Sequence, residues 1–312
     1  MSDAGTPERQ PSLCRVDGAA GPGGAYEGDA VDGSRHGVGR ATYASGETYE
    51  GEWVADLPHG AGVYTFSSGS VYEGEHRRGK ANGVGSMRFA SGSVCAGEWR
   101  EDRIHGTATF TKSNGQRYEG EWRDDKKHGE GRQTFTTGSV YQGTWRDDKR
   151  CGAGKMTFAS GHAYEGDWVD DKRHGRGVYT YASGDIYAGE LRDDKFNGAG
   201  TFTFASGNVF DGTFRDNKRV SGKYALACGD VFEGSWKHDK FHGPGKYTLA
   251  GGGSYDGLWR RGKISPSKPS AVTRPDGLVV DGDPAAVLDA WRALCPRRCP
   301  ATVPPAADLD ED

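Results

Sequence analysis

Apolar and polar positions alternate through much of this chain, and the alternation breaks at regular intervals. Residues 118 to 140 read YEGEWRDDKKHGEGRQTFTTGSV. Tyr118, Gly120 and Trp122 take every second position, with Glu119 and Glu121 between them. That spacing predicts a strand with one aromatic and one acidic face. Asp124 to Gly129 form a polar stretch, read as a loop. From Gly131 the period of two returns and predicts a second strand. Thr-Thr-Gly then signals a tight turn. The stretch predicts one β-hairpin, and nothing in it has helical spacing.

The pattern restarts at Tyr26, Tyr49, Tyr72, Cys95, Tyr118, Tyr141, Tyr164, Tyr187, Phe210, Phe232 and Tyr255. Every step is 23 residues except the one after Phe210, which is one residue short. Ten full units and a fragment fill residues 26–263. A period of this length means one supersecondary unit stacked on its neighbours. Glycine makes up 51 of the 312 residues. A strand glycine costs about 0.5–1 kcal/mol relative to alanine, so those at the third and fourteenth positions of the unit need an offset. A ring lying over a residue without a side chain supplies one, because an aromatic pair contributes about 0.5–1.5 kcal/mol beyond its area. Glycines at the twelfth and twenty-first positions read as turn residues with positive φ.

Tyr-Glu-Gly-Glu-Trp followed by x-x-x-Lys-x-His-Gly-x-Gly, repeated over residues 26–263, resembles the MORN repeat (membrane occupation and recognition nexus). The resemblance implies an all-β fold: an elongated, twisted, single-layer antiparallel meander of β-hairpins whose aromatics line a groove. Some residues depart from the pattern. Cys95 stands where Tyr is expected, His76 where Trp is, and Ala108 where the second-strand Gly is. Phe110 and Lys112 fall outside the usual apolar register, which predicts a weaker, bulged hairpin there.

Four segments follow from this. Residues 1–25 read as a disordered Gly/Pro-rich segment, and residues 26–263 as the array. Residues 264–299 read as a linker with a short strand at Leu278 to Val280 and a short amphipathic α-helix. Residues 300–312 read as an acidic disordered tail. The helix begins with Asp283 as N-cap and Pro284 at its first position, and ends at Pro296. Val287, Leu288, Trp291 and Leu294 share one face. It either folds back over aromatics of the last hairpins or binds a partner.

A net charge of −4 argues against nucleic-acid binding. Hydrophobic residues make up 34 %, which suits a one-layer solenoid better than a compact globule. No stretch approaches the roughly 20 apolar residues that span a bilayer. The polar start, MSDAGTPERQPSL, is no signal peptide. The cysteines are scattered and read as free thiols in a reducing compartment, so a cytoplasmic location is expected. Cys295 and Cys299 in CPRRC lack the partner pair of a metal site.

Recurrent polar residues are the candidates for chemistry. His36, His59, His105, His128, His174 and His242 share the eleventh position. Adjacent copies lie two strands apart, about 9–10 Å, too far for ligands that must converge at about 2 Å. Repeated acid pairs such as Glu119 and Glu121 read as a solvated face, not as the single placed pair of a glycosidase. GAGK, VSGK and GPGK lack phosphate-loop spacing. Only 49 residues follow Lys263, too few for a catalytic domain. No catalytic residue, metal or cofactor is expected.

Two surfaces carry the functional reading. The first is an aromatic groove of Tyr118, Trp122, Phe135, Tyr141, Trp145, Phe158, Tyr164, Trp168, Tyr181, Tyr187 and Phe204, partly exposed because a single layer has no second layer over it. The second is a ladder of loop cations, Lys126, Lys127, Lys149, Arg150, Lys172 and Arg173, beside aspartates that offset most of its pull on an anionic membrane. The expected protein is a non-enzymatic scaffold that docks a helix or extended peptide of a partner protein in the groove. The family resemblance points to a cytoskeletal or ciliary setting, including flagellar axonemes. Self-association through one end of the array is a further expectation. The alternative is a peripheral membrane adaptor that binds phosphoinositides through the cations.

Overall fold

The computed structural model describes residues 24–265 and 270–295. The terminal segments expected to be disordered therefore lie outside the described residues, apart from Gly24 and Ala25. The chain divides into two units, residues 1–159 and 160–312. In the first, the described residues form twelve strands, from Ala25–Val31 to Lys149–Thr157. In the second they form twelve strands, from Ala163–Val169 to Val279–Asp281, and the helix Pro284–Leu294. Pairing within each unit is antiparallel and joins strands in sequence order. The one skip is at the stub Lys263–Ile264, where Ser254–Arg260 pairs with both the stub and Ala271–Thr273. In neither unit does the first strand pair with the last, so neither sheet closes into a barrel. The fold is the expected all-β meander of hairpins with a short terminal helix.

The hairpin of residues 117–134 shows how the repeat is built. Arg117–Arg123 and Lys126–Thr134 are joined by two residues, Asp124 and Asp125, with φ of 48° and 68°. This is a type I′ turn, whose twist matches that of the strands. The polar loop expected from Asp124 to Gly129 is thus a two-residue turn, and Lys126 to Gly129 already belong to the second strand. A bulge disguised them. Lys127 pairs with Trp122, but the next paired residue, Gly131, faces Gly120. Three residues therefore oppose one, and Gly129 sits among them at φ 59°. The other connection is longer. Phe135 donates its N–H to Ser139 O at 2.9 Å, Gly138 donates to Phe135 O at 3.0 Å, and Gly138 has φ 91°.

The fourth copy keeps the same register: Cys95 pairs with Phe110, Gly97 with Ala108, and Trp99 with Ile104. Its bulge, between Gly97 and Trp99, is the one that the neighbouring copies also carry. Phe110 takes the ordinary inward position, and Lys112 stands where Phe89 and Phe135 stand in the neighbouring copies. The short copy absorbs its missing residue in the bulge, where Thr213 pairs with Ser221 and Phe214 with Arg219.

Side chains that looked like surface decoration staple the backbone. Glu121 Oε1 accepts the bulge N–H of Glu130 at 3.0 Å, as Glu52 does for Ala61 and Asp167 Oδ2 for Arg176. These acids satisfy backbone donors that the bulge leaves unpaired, a role the solvated-face reading missed. The second turn residue reaches the preceding copy. Asp148 Oδ1 accepts Lys127 N–H at 2.9 Å, and Asp148 N–H donates to Lys127 O at 3.1 Å. Asn217 does the same for Phe196. Burial raises the carboxyls of Asp102 and Asp125 above the ordinary carboxylate range. The twenty-second residue reaches forward: Ser139 Oγ accepts Ala159 N–H at 3.1 Å.

Candidate interaction surface

Each Tyr at the first position lies flat on glycine. A Cβ built on Gly131 would fall 2.5 and 2.6 Å from Cζ and Cε2 of Tyr118, and one on Gly120 would meet the same hydroxyl. That hydroxyl donates to Glu121 O at 3.0 Å, three residues along its own strand. Tyr49, Tyr72, Tyr164 and Tyr187 repeat the arrangement. Burial raises the pKa of each of these phenols. Trp at the fifth position donates Nε1–H to the fourteenth residue of the preceding copy, as Trp53 does to Gly39 O and Trp122 to Ala108 O. Trp and Tyr rings meet at near right angles on both sides, with Tyr118 5.0 Å from Trp122 and 5.4 Å from Trp145.

This packing corrects the expected groove. Tyr118, Trp122, Tyr141, Trp145, Tyr164, Trp168, Tyr181, Tyr187 and Phe204 are at most 5 % exposed. They are sealed without a second sheet, by glycine below, rings on either side and the tenth residue of the unit. Phe135 and Phe158 remain half-buried. The rings still open lie at the eighteenth position, beside the turns.

The cation ladder also divides, because its residues sit in a strand and alternate faces. Lys126, Lys149 and Lys172 are exposed, and Lys172 Nζ lies 4.0 Å from Asp193. Lys127, Arg150 and Arg173 turn to the rings. Lys127 Nζ is 4.6 Å from the Trp145 centroid, and Arg150 Cζ is 5.6 Å from that of Tyr141. Arg173 Cζ is 5.3 Å from that of Tyr179, and its Nε bonds Asp194 at 2.9 Å. These contacts are cation–π in kind. Phe196 holds the same position, stacked on Tyr187 at 3.6 Å. No Asp or Glu occupies the first, third, fifth, tenth, fourteenth, sixteenth or eighteenth position of any copy. The six proposed lipid contacts are therefore not one stripe.

His76, in place of Trp, is wedged between Tyr49 at 4.9 Å and Tyr72 at 5.1 Å. Burial pushes its pKa down to about 4. Cys95, in place of Tyr, is fully buried, and burial pushes its thiol up to about 12. His105 Nδ1 lies 3.4 Å from Asp124. Among the described residues no three His, Cys, Asp or Glu side chains are grouped to hold a metal ion.

The short expected strand occurs at Val279–Asp281, paired with Ala271–Thr273. The helix is as drawn from the sequence: Asp283 accepts the N–H groups of Ala285 and Ala286, and Pro284 follows. Pro296 and Cys299 lie outside the described residues. The helix covers the sheet. Val287, Ala290 and Trp291 are buried, and Trp291 meets Tyr247 at 5.7 Å and Tyr255 at 5.8 Å.

A meander of 23-residue hairpins with an inward ladder of Tyr, Gly and Trp defines a repeat protein with one aromatic and one polar face. The chain belongs to the MORN repeat family, whose model matches eight consecutive stretches over residues 26–209 and a further one at 232–254. The copy one residue short lies in the gap. No curated protein matches the chain. Among solved structures, the chain is similar to the TCP domain of SAS-4 from Drosophila melanogaster, in complex with a proline-rich motif of Ana2. Identity is 12 %, over 56 % of this chain and 88 % of that one, with a TM-score of 0.34. It is also similar to the TCP10 domain of CPAP from Danio rerio, in complex with a peptide of STIL. Identity there is 13 %, over 83 % and 99 %, with a TM-score of 0.28. At these scores no function follows from the likeness.

Proposed function

We propose that this chain is a non-enzymatic scaffold that docks a helix or extended segment of a partner protein on the aromatic face of its repeats. The observation that carries this reading is the helix Pro284–Leu294. It lays Trp291 on Tyr247 and Tyr255, and so supports the view that this face accepts a helical segment bearing an aromatic anchor. The partner meets the open rim of half-buried rings, not the sealed tyrosines. The setting proposed is cytoplasmic and cytoskeletal, in a ciliary or flagellar axonemal assembly, with self-association through one end of the array as a second contact. Among the described residues no helix is long and apolar enough to cross a membrane, which says nothing of crossing by strands. A phosphoinositide surface has less support, because half of its expected contacts face rings.

Photo-crosslinking tests the reading. A benzoylphenylalanine at Phe135 should label a discrete partner protein in the source cell, and one at Arg132, on the opposite face, should not. Equal labelling from both, or none from Phe135, refutes docking on this face.

A further inference from the structure

In the first unit one column of residues stands apart. Phe66, Phe89, Lys112 and Phe135 share a register position: each donates its N–H to the residue four on, at 2.8–2.9 Å, and so closes its turn. Successive members lie two strands apart, about 9–10 Å. All four are half-buried, as is Phe158, which continues the row; Tyr43, which precedes it, is 9 % exposed, and at the same position in the second unit Tyr181 and Phe204 are each 5 % exposed while Leu226 and Leu249 are half-buried. Apolar surface is thus left partly open along this column.

Its charge is one-sided. The turns that carry it, residues 66–70, 89–93, 112–116 and 135–139, contain Lys112 and no Asp or Glu, while the turn before them, residues 43–47, holds Glu47, which already accepts the Tyr64 hydroxyl at 2.8 Å. The corresponding turns of the second unit include Asp185 and Asp230, and Asp230 accepts the hydroxyl of Tyr247 at 2.8 Å. A half-buried lysine in a row of phenylalanines favours a carboxylate over other groups brought against it.

The spacing selects the form of the partner. Seven residues of α-helix advance about 10.5 Å, close to the step between copies, so a helix laid across the strands presents one side chain to each row member. The chain already seats a helix on the ring face of its second unit. We propose that Phe66, Phe89, Lys112 and Phe135 form a docking strip for an amphipathic helix of a partner protein. That helix carries apolar residues at i, i+7 and i+21 and an Asp or Glu at i+14, opposite Lys112. This rests on the scaffold reading and specifies its ligand.

The test uses the full chain and two synthetic helical peptides of about 25 residues. Both carry Leu at i, i+7 and i+21; one has Glu at i+14 and the other Lys. Fluorescence anisotropy at physiological salt should show the Glu peptide binding about tenfold more tightly. Lys112→Glu should reverse the order, Lys112→Met should abolish the difference, and Phe89→Ser should weaken both peptides. Circular dichroism checks that each variant stays folded. Equal affinity for the two peptides, or an order unmoved by Lys112→Glu, overturns the strip. If crosslinks from Phe135 persist in that case, the scaffold reading stands without it. If neither peptide binds and Phe135 crosslinks nothing, both fall.

Discussion

Replacing Gly131 with alanine separates two views of the repeat by sign. Gly131 sits in a strand and needs no positive φ. Strand propensity alone therefore makes alanine stabilising, by about 0.5–1 kcal/mol. The added Cβ, however, would occupy the space of the Tyr118 ring. A displaced ring gives up its hydroxyl bond to Glu121 O, about 1 kcal/mol net. It also gives up its edge contacts with Trp122 and Trp145, about 1 kcal/mol each. Set against the gain from alanine, the net is a loss of about 2 kcal/mol. Repeat arrays open piecewise, so the readout is hydrogen exchange of amides in residues 117–134. Protection there should fall about 30-fold. With Tyr118→Ala already present, Gly131→Ala should become neutral or stabilising. Protection that holds or rises in the single variant refutes the ring-on-glycine account. So does an equal loss with and without Tyr118.

Other perturbations test other links. His76 is held neutral in the folded chain with a pKa of about 4, below the ordinary 6.5. The unfolded chain binds the proton first as pH falls, so the stability tied to this group is complete above about 6.5 and is lost towards 4. The loss is about 3 kcal/mol. Urea titrations between pH 4 and 7 should show a steeper acid slope for the native chain than for His76→Trp; parallel slopes refute the assignment. Asp125→Asn should be nearly neutral in thermal melts, since Asn217 fills the equivalent place in another copy. Asp125→Ala should cost about 2 kcal/mol through the lost acceptor for Ile104 N–H and strain at φ 68°. Trp236 Nε1 is buried without an acceptor, whereas Trp259 Nε1 bonds Gly245 O at 3.0 Å. Denaturant midpoints should therefore make Trp236→Phe about 1 kcal/mol milder than Trp259→Phe.

What the sequence disclosed was whatever leaves a period. Tyr118, Gly120 and Trp122 announce their strand by alternation, and the glycine beneath Tyr118 follows from the cost of a bare strand residue. The terminal helix was legible from Asp283, Pro284 and the spacing of Val287 and Trp291. Two features were hidden by local geometry. The bulge around Gly129 inserts residues without breaking the parity of the strand, so Lys126 and Lys127 read as loop neighbours when they face opposite ways. The doubled aspartate could have given the turn away, since both residues adopt positive φ and Asn217 replaces the second in one copy. Burial of the rings was the other failure. Alternation says which face a ring takes. It does not say that a Trp from the next copy and the tenth residue will close over it.

That closure shapes how a repeat of this kind can be specific. The first, third, fifth and fourteenth positions are committed to ring-on-glycine packing, and the fourth, eighth and twenty-second to backbone staples. A change at any of them perturbs folding before it perturbs binding. The tenth position has more latitude: Lys127, Arg150 and Phe196 all lie against a Tyr ring. Yet it is largely covered, so it tunes the core more than the surface. At Phe66, Phe89, Lys112 and Phe135 the eighteenth position combines inward direction with partial exposure. On the proposed scaffold reading, discrimination between partners falls to these residues, which is why Lys112, an outlier by sequence pattern alone, is the residue whose charge reversal is most informative.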